Sequence, residues 1–335
     1  MGKQKPVARQ HYVQCAYLAH FVSPAKSDDG KIWTYDKRGN SPRLQPPINS
    51  GVEKHIYTIK HPDAKAPDIL ETAVFTPIEN IGYPILKELA TNPKAKSLTA
   101  ESIAHLSGYL AAAHLRVPRN IDATRQLMQG VLVESLRRIS KDPQRVKTAW
   151  ENAQRKYTAA ALSEEKIKDL FENPEKHVKI KTDAKVALLL NLQRFDDIAR
   201  RLLAMNWSIC DAVDESFFVV GDSPLVVFAP TGTSTAIFGG GFALPQVQIH
   251  FPISPKRCLY LTHTDFPAHE RLSKSMVEEV NRRSIAMSER FVFSPYRSNR
   301  IQKLVEKFTG PGIKVDRTRL AQKLAEWETK EKSAN

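Results

Sequence analysis

Apolar and polar positions alternate with different periods along the chain, and the period changes mark its organisation. Near the start, Tyr12, Ala16 and His20, together with Val13, Tyr17 and Phe21, stand four apart, which predicts a helix over 11–21. Asp28, Asp29 and Gly30 supply turn chemistry, after which Ile32, Thr34 and Asp36 alternate with Trp33 and Tyr35 as in a strand. A second short strand is expected over 55–59. From Asp68 the pattern turns helical. Ile69 to Leu89 is broken by Pro77 and Pro84, Thr99 caps a helix reaching about Arg116, and Pro118 stops it. Helices are expected over 118–140 and 144–160, a short charged one from Ser163 to Asn173, and a long one over 184–207.

After Trp207 the texture changes to β-branched and aromatic runs bounded by Gly, Pro and Asp. Residues 216–220, 225–228, 247–250 and 258–261 read as strands, with Gly239, Gly240 and Gly241 in a loop between two of them. Ser275 to Arg290 returns to helix with Ser275 and Glu278 as a capping box. Helices over 298–308 and 317–332 close the chain. Strands, helices, strands and helices in that order predict an α+β fold rather than a doubly wound sheet. The expected organisation is a basic disordered arm over 1–10, one α+β domain over 11–310 with a helical subdomain at about 64–206, and a peripheral charged helix over 311–335.

Composition narrows the class. The 335 residues are 41% apolar and 26% charged, as in a globular protein. No run of about 18 apolar residues occurs, so no transmembrane helix is expected. Met1 to Pro6 carry basic residues without an apolar stretch behind them, unlike a secretory signal. Cys15, Cys210 and Cys258 are odd in number and far apart in sequence, which argues for a reducing compartment, the cytoplasm. A net charge of +14 attracts polyanions, because each Lys or Arg on a phosphate releases a counterion. Nucleic acid is the partner this favours; a merely solvated basic surface is the plainer alternative.

No Gly-x-Ser-x-Gly, His-Glu-x-x-His or Cys-x-x-Cys is present. The triple glycine could cradle phosphate, but it lacks the Lys-Ser/Thr of a P-loop and reads better as a hairpin loop. His114 shares a helix face with Ile103, Ser107 and Leu110, where a hydrogen-bonded core role competes with ligand binding. Arg116 could hold a phosphate or carboxylate bidentately, or pair with Glu71 or Glu79. Those glutamates, eight apart, differ by about 80° around a helix and could bind a divalent metal or act as acid and base. Asp222, after Val219 to Gly221, suits catalysis and an Asx turn equally. Asn281 falls on an apolar face with Val277, Val280 and Ile285, where a cap on backbone is expected.

Taken together, the segments His11-Tyr12-Val13, Ile32-Trp33-Thr34-Tyr35-Asp36-Lys37, Glu53-Lys54-His55-Ile56-Tyr57, Leu70-Glu71, Ile78-Glu79, Leu115-Arg116-Val117-Pro118, Val219 to Pro224, Phe251 to Pro255, Asn281 and Arg290 to Ser294 carry a resemblance. In order and spacing the chain resembles a bacterial domain-of-unknown-function family, numbered four-two-three-eight, whose members open with His-Tyr-Val-Pro-Gln. Where that family has Pro-Gln this chain has Gln14-Cys15, so the glutamine is displaced by one residue or absent.

The resemblance implies that His11, Tyr12, Glu71, Glu79, Arg116, Asp222, Ser223 and Asn281 gather in one place, with His11 expected near Asp222. Such a set could serve acid/base or metal-assisted hydrolysis: His11 as base, the carboxylates as metal or water ligands, Arg116 as anion clamp. Catalytic roles fall on His11, Glu79 and Asp222. Binding roles fall on Tyr12, Gln14, Arg116, His114, Ser223 and Asn281, and metal ligation on Glu71 and Glu79. Three functions compete. One is a phosphodiester-directed hydrolase of the defence or toxin kind, another a non-catalytic nucleic-acid-binding protein whose polar residues form a buried network, and the third a small-molecule enzyme.

Overall fold

A computed structural model describes residues 9–39, 41–58, 68–156, 163–177, 181–229, 241–309, 318 and 320–326. Its first elements are β1 (Arg9–His11), a single turn α1 (Cys15–Leu18), β2 (Ile32–Asp36), β3 (Arg43–Gln45) and β4 (Val52–Lys54). The helix expected over 11–21 forms over its later part, with Cys15–Leu18 α-helical and Ala19–Phe21 a 3₁₀ turn. Its start differs, since Gln10 and His11 join a strand pair with β4. The second strand lies at 52–54 rather than 55–59, since His55 adopts a positive φ of 56° and turns the chain.

Next comes a π-helix (Leu70–Phe75) that runs directly into α2 (Thr76–Thr91). Pro77 has no N–H to return to Ala73, so an α-turn cannot close there, and the Thr76 N–H instead reaches back five residues to the Glu71 carbonyl. Pro77 thus interrupts the α-helical ladder as expected, through a π-turn, whereas the interruption expected at Pro84 does not occur. Pro84 lies inside α2, where the carbonyl it leaves unpaired belongs to the exposed Asn80. Thr99 does cap α3 (Ala100–Leu115), its side chain accepting from the Ser102 N–H. Then follow α4 (Pro118–Ile139), α5 (Pro143–Lys156), α6 (Glu164–Glu172), α7 (Pro174–His177), α8 (Ala184–Leu192) and α9 (Phe195–Leu203).

The strand-rich half contains β5 (Asn206–Ala212), β6 (Val220–Gly221), β7 (Val226–Phe228), β8 (Gln248–Ser254), β9 (Arg257–Thr262) and β10 (His269–Leu272), then α10 (Lys274–Met287), β11 (Phe291–Ser294) and α11 (Asn299–Lys307). Of the triple glycine, only Gly241 lies within the described residues. The α10 cap is Ser273, two residues before the expected capping box, with its side chain accepting from the Met276 N–H. The strands form a five-stranded sheet ordered β10-β5-β9-β8-β7 and a four-stranded sheet ordered β3-β2-β11-β6. Only the β10–β5 pairing of the first is parallel, and the fold is α+β. Cys210 and Cys258, distant in sequence, are cross-strand partners in β5 and β9, yet both are free thiols.

Contacts divide the chain into two compact units. The first comprises Met1–Asp122, Ala184–Thr235 and Gly239–Ile313, and holds both larger sheets, α2, α3 and α8 to α11. Its main core joins Phe21, Leu86, Leu106, Leu110, Leu188, Ile209 and Phe251. The second comprises Ala123–Asp183, Ala236–Phe238 and Lys314–Asn335, so the helical insertion is narrower than the expected 64–206. Within it Val133, Val146, Ile167 and Leu320 are buried. Leu320 belongs to the expected final helix, of which 318 and 320–326 are described and helical. Residues 1–8 of the expected arm lie outside the described residues, and Arg9 and Gln10 are strand. Among the described residues no helix is long and apolar enough to cross a membrane.

Candidate functional site

The His11 segment is held from both sides. The Tyr12 and Val13 N–H groups both donate to the Gly51 carbonyl, and Gly51 has a φ of +59°. A Cβ there would stand 2.8 Å from Val13 Cβ, so the approach requires glycine. Gln10 Oε1 accepts from the Tyr57 N–H at 2.7 Å, which fixes the chain after β4. Farther on, the Tyr17 hydroxyl donates to Pro252 O at 2.5 Å and His20 Nδ1 lies 3.0 Å from Ile253 O, docking the segment on β8.

Arg116 sits at the C-cap of α3, where the helix stops short of Pro118. It is 2% exposed. Its Nη2 donates to Glu79 Oε1 at 2.5 Å, and its guanidinium lies 5.1 Å from the Phe75 ring centre. Burial disfavours the charge, but Glu79, Tyr57 and Tyr109 together hold the guanidinium ionised. The Nε and Nη1 atoms have no hydrogen-bond partner among the described residues. The π-helix places Glu71 and Phe75 beside this group. Glu71 Oε2 is also buried without a partner among the described residues, and burial raises its carboxyl pKa against the pull of Arg116.

Around this pair stand Tyr109 of α3 and residues from two other segments. The Tyr57 hydroxyl donates to the Arg116 carbonyl at 3.3 Å, and the Tyr109 hydroxyl donates to Gln14 Oε1 at 2.8 Å. Gln14 thus does reach the cluster from its shifted position. His11 is half-buried, with Nε2 at 3.2 Å from Ile48 O, and Arg116 and Glu79 are among its electrostatic neighbours. Burial lowers its pKa, opposed by the Ile48 carbonyl. If Nε2 carries the proton for that carbonyl, Nδ1 keeps its lone pair.

Asp222 occupies a different setting. Gly221 brings β6 so close to the end of α10 that a Cβ would lie 2.8 Å from Ser288 Cβ. The Asp222 carboxylate accepts from the backbone N–H of Glu289 at 2.6 Å, and of Arg290 and Phe291 at 2.8 Å each. Burial pushes its pKa up to about 6, against those three N–H bonds. Beside it Lys37 Nζ donates to Ser288 O at 2.6 Å, and Arg290 grips Asp36 at 2.8 Å. Burial lowers the Lys37 pKa to about 8. Ser223 is buried, and its Oγ has no partner among the described residues.

Of the expected gathering, His11, Glu71, Glu79 and Arg116 come together, and Gln14, a separate binding candidate, joins them through Tyr109. The side chain facing Asp222 is Tyr12, whose hydroxyl pKa is raised by burial and then by Asp222, whereas the neighbours of His11 are Arg9, Arg116 and Glu79. This corrects the expected His11–Asp222 pairing: β1 ends at His11, and successive side chains along extended backbone point to opposite sides, so the one after His11 takes the Asp222 side. Asn281 stands apart and clamps backbone, its Oδ1 accepting from Val219 N at 2.9 Å and its Nδ2 donating to Phe217 O at 2.8 Å. His114 packs edge-on against Phe242 at 5.1 Å, and burial brings its pKa to about 3.

Among the described residues no three His, Cys, Asp or Glu side chains gather to hold a metal. Among the described residues Glu71 and Glu79 therefore have no third ligand beside them, and Glu79 is engaged by Arg116. Tyr57, Tyr109, Phe75 and the π-turn were missed by sequence reasoning. Pro77 was the one available signal for the turn. No curated protein and no solved structure matches the chain. A family described as "Protein of unknown function (DUF4238)" matches residues 9–298, a span that contains every residue of both polar groups, and the chain belongs to that family.

Proposed function

We propose that the protein is cytoplasmic, associates with nucleic acid, and uses the Arg116 cluster as a phosphodiester-directed hydrolytic centre. The observation that carries this reading is the buried guanidinium with two N–H positions unpartnered among the described residues. A buried donor without an acceptor costs about 1–3 kcal/mol, and a phosphate oxygen would satisfy it. The chain's 50 Lys and Arg against 36 Asp and Glu favour a polyanionic partner.

In this reading Arg116 clamps a phosphate oxygen and Glu79 holds Arg116 in place. His11 Nδ1 takes the proton of an attacking water as the water oxygen bonds to phosphorus. The leaving oxygen departs and is protonated by solvent. The lowered pKa of His11 keeps it neutral, as a base must be. A second reading, a non-catalytic binding protein with a structural polar network, is favoured by Asp222, whose two oxygens are already occupied by backbone.

Retention on single-stranded RNA and DNA, followed by an assay for cleavage, tests the proposal. Binding should weaken steeply between about 50 and 200 mM salt, because each phosphate contact releases a counterion. Failure to bind either polymer at low salt would contradict it.

A further inference from the structure

Glu71 Oε2, beside the anion clamp, narrows the class of polymer. It is a buried acceptor with no hydrogen-bond donor among the described residues. The nearby hydroxyls are committed elsewhere, Tyr57 to the Arg116 carbonyl and Tyr109 to Gln14. Thr76 Oγ1 donates to the Glu71 backbone carbonyl at 2.8 Å, not to its carboxylate. The π-turn, a rare element found mostly at functional positions, is what carries this side chain to Arg116.

An acceptor next to unpartnered guanidinium N–H groups asks two things of a ligand: an oxyanion, and a hydroxyl or amine donor close to it. DNA supplies the oxyanion from its backbone but has no sugar hydroxyl beside it. RNA has a 2′-hydroxyl adjacent to every internal phosphate, and an O–H donated to a carboxylate is among the stronger hydrogen bonds. We infer that Glu71 accepts the ribose 2′-hydroxyl while Arg116 holds the neighbouring phosphate, so that the partner is RNA rather than DNA. The inference rests on the nucleic-acid reading above. A donor at Oε2 would add to the pull of Arg116 in offsetting the burial of Glu71.

The test measures binding of the full chain to a short single-stranded RNA, the same sequence as DNA, and the same RNA carrying 2′-O-methyl groups. One hydrogen bond to a charged acceptor corresponds to roughly tenfold or more in affinity. The RNA should bind at least that much better than the DNA, and methylation should reduce it to about the DNA level. Glu71→Ala should abolish the RNA advantage, so that RNA and DNA of the same sequence bind the variant alike. The methylated strand needs no variant, so the result stands even where Glu71→Ala folds poorly. Equal binding of RNA and DNA, or of RNA and its methylated form, would overturn the inference while leaving the nucleic-acid reading intact. No binding to any of the three would overturn both.

Discussion

Asp222 and Arg116 are both buried charged residues, at 1% and 2% exposure, Asp222 against the backbone turn at 289–291 and Arg116 against the Phe75 ring. Their hydrogen bonds end differently. Asp222 receives three backbone N–H groups from one turn, and those bonds tie β6 to the start of β11. Arg116 makes one ion pair, to Glu79, and keeps two of its nitrogens unpartnered among the described residues. A saturated buried charge holds a fold together. An unsaturated one lowers stability unless something arrives to complete it. By this criterion the Asp222 corner is assigned to the scaffold, and the Arg116 cluster is the place we propose for a ligand.

The largest expected effect is on stability at the scaffold corner. Asp222→Ala removes the acceptor of three backbone donors and should cost about 3–5 kcal/mol of unfolding free energy in urea. A loss below about 1 kcal/mol would end the distinction between the two regions. At the other region the effect should fall on chemistry. His11→Ala should slow polynucleotide cleavage by roughly a hundredfold or more, with little change in the unfolding midpoint. Because burial lowers the His11 pKa, the acid limb of the parent's rate profile should lie below 6.5, the ordinary histidine value.

The pH dependence of stability sharpens the contrast further. Asp222 has a folded pKa of about 6 against an ordinary value of 3.8. Between those values the folded state binds the proton and the unfolded state does not. Stability should therefore fall as pH rises through that window, by at most about 3 kcal/mol, and Asp222→Asn should lack this slope. Urea midpoints for both proteins at either end of the window decide it. The smallest effect is expected at Tyr109→Phe, which removes the hydroxyl that donates to Gln14. It should cost about 1 kcal/mol by thermal unfolding.

Much of this architecture was legible in the order of its elements. The strand 32–36, the Thr99 cap and the β-runs over 225–228, 247–250 and 258–261 follow from periodicity and capping chemistry, which act over a few residues, whereas of the expected 216–220 run only Val220 is strand. The pairing of β2 with β11 was not legible, because nothing local in Ile32–Asp36 specifies a partner some 250 residues away. The strand of Gln10 and His11 was misread for a similar reason. Its spacing suits a helix, but pairing with Val52–Lys54 outweighs so short a helical run. At the site, the resemblance indicated His11, Glu71, Glu79 and Arg116, and these do converge. What it could not indicate was which of the collected charges would be left with unfilled hydrogen-bonding positions, since that depends on tertiary geometry alone.

The most direct test sets the two regions side by side in one assay: RNA affinity of the parent, Arg116→Lys and Asp222→Asn at the same low salt, with unfolding midpoints measured on the same samples. Lysine keeps the charge toward Glu79 but loses the extra guanidinium donors. Arg116→Lys should bind RNA about tenfold more weakly or worse, whereas Asp222→Asn should bind like the parent despite its lower stability. Equal affinity for all three proteins, or equal loss in both variants, would contradict the assignment of the Arg116 cluster as the ligand site.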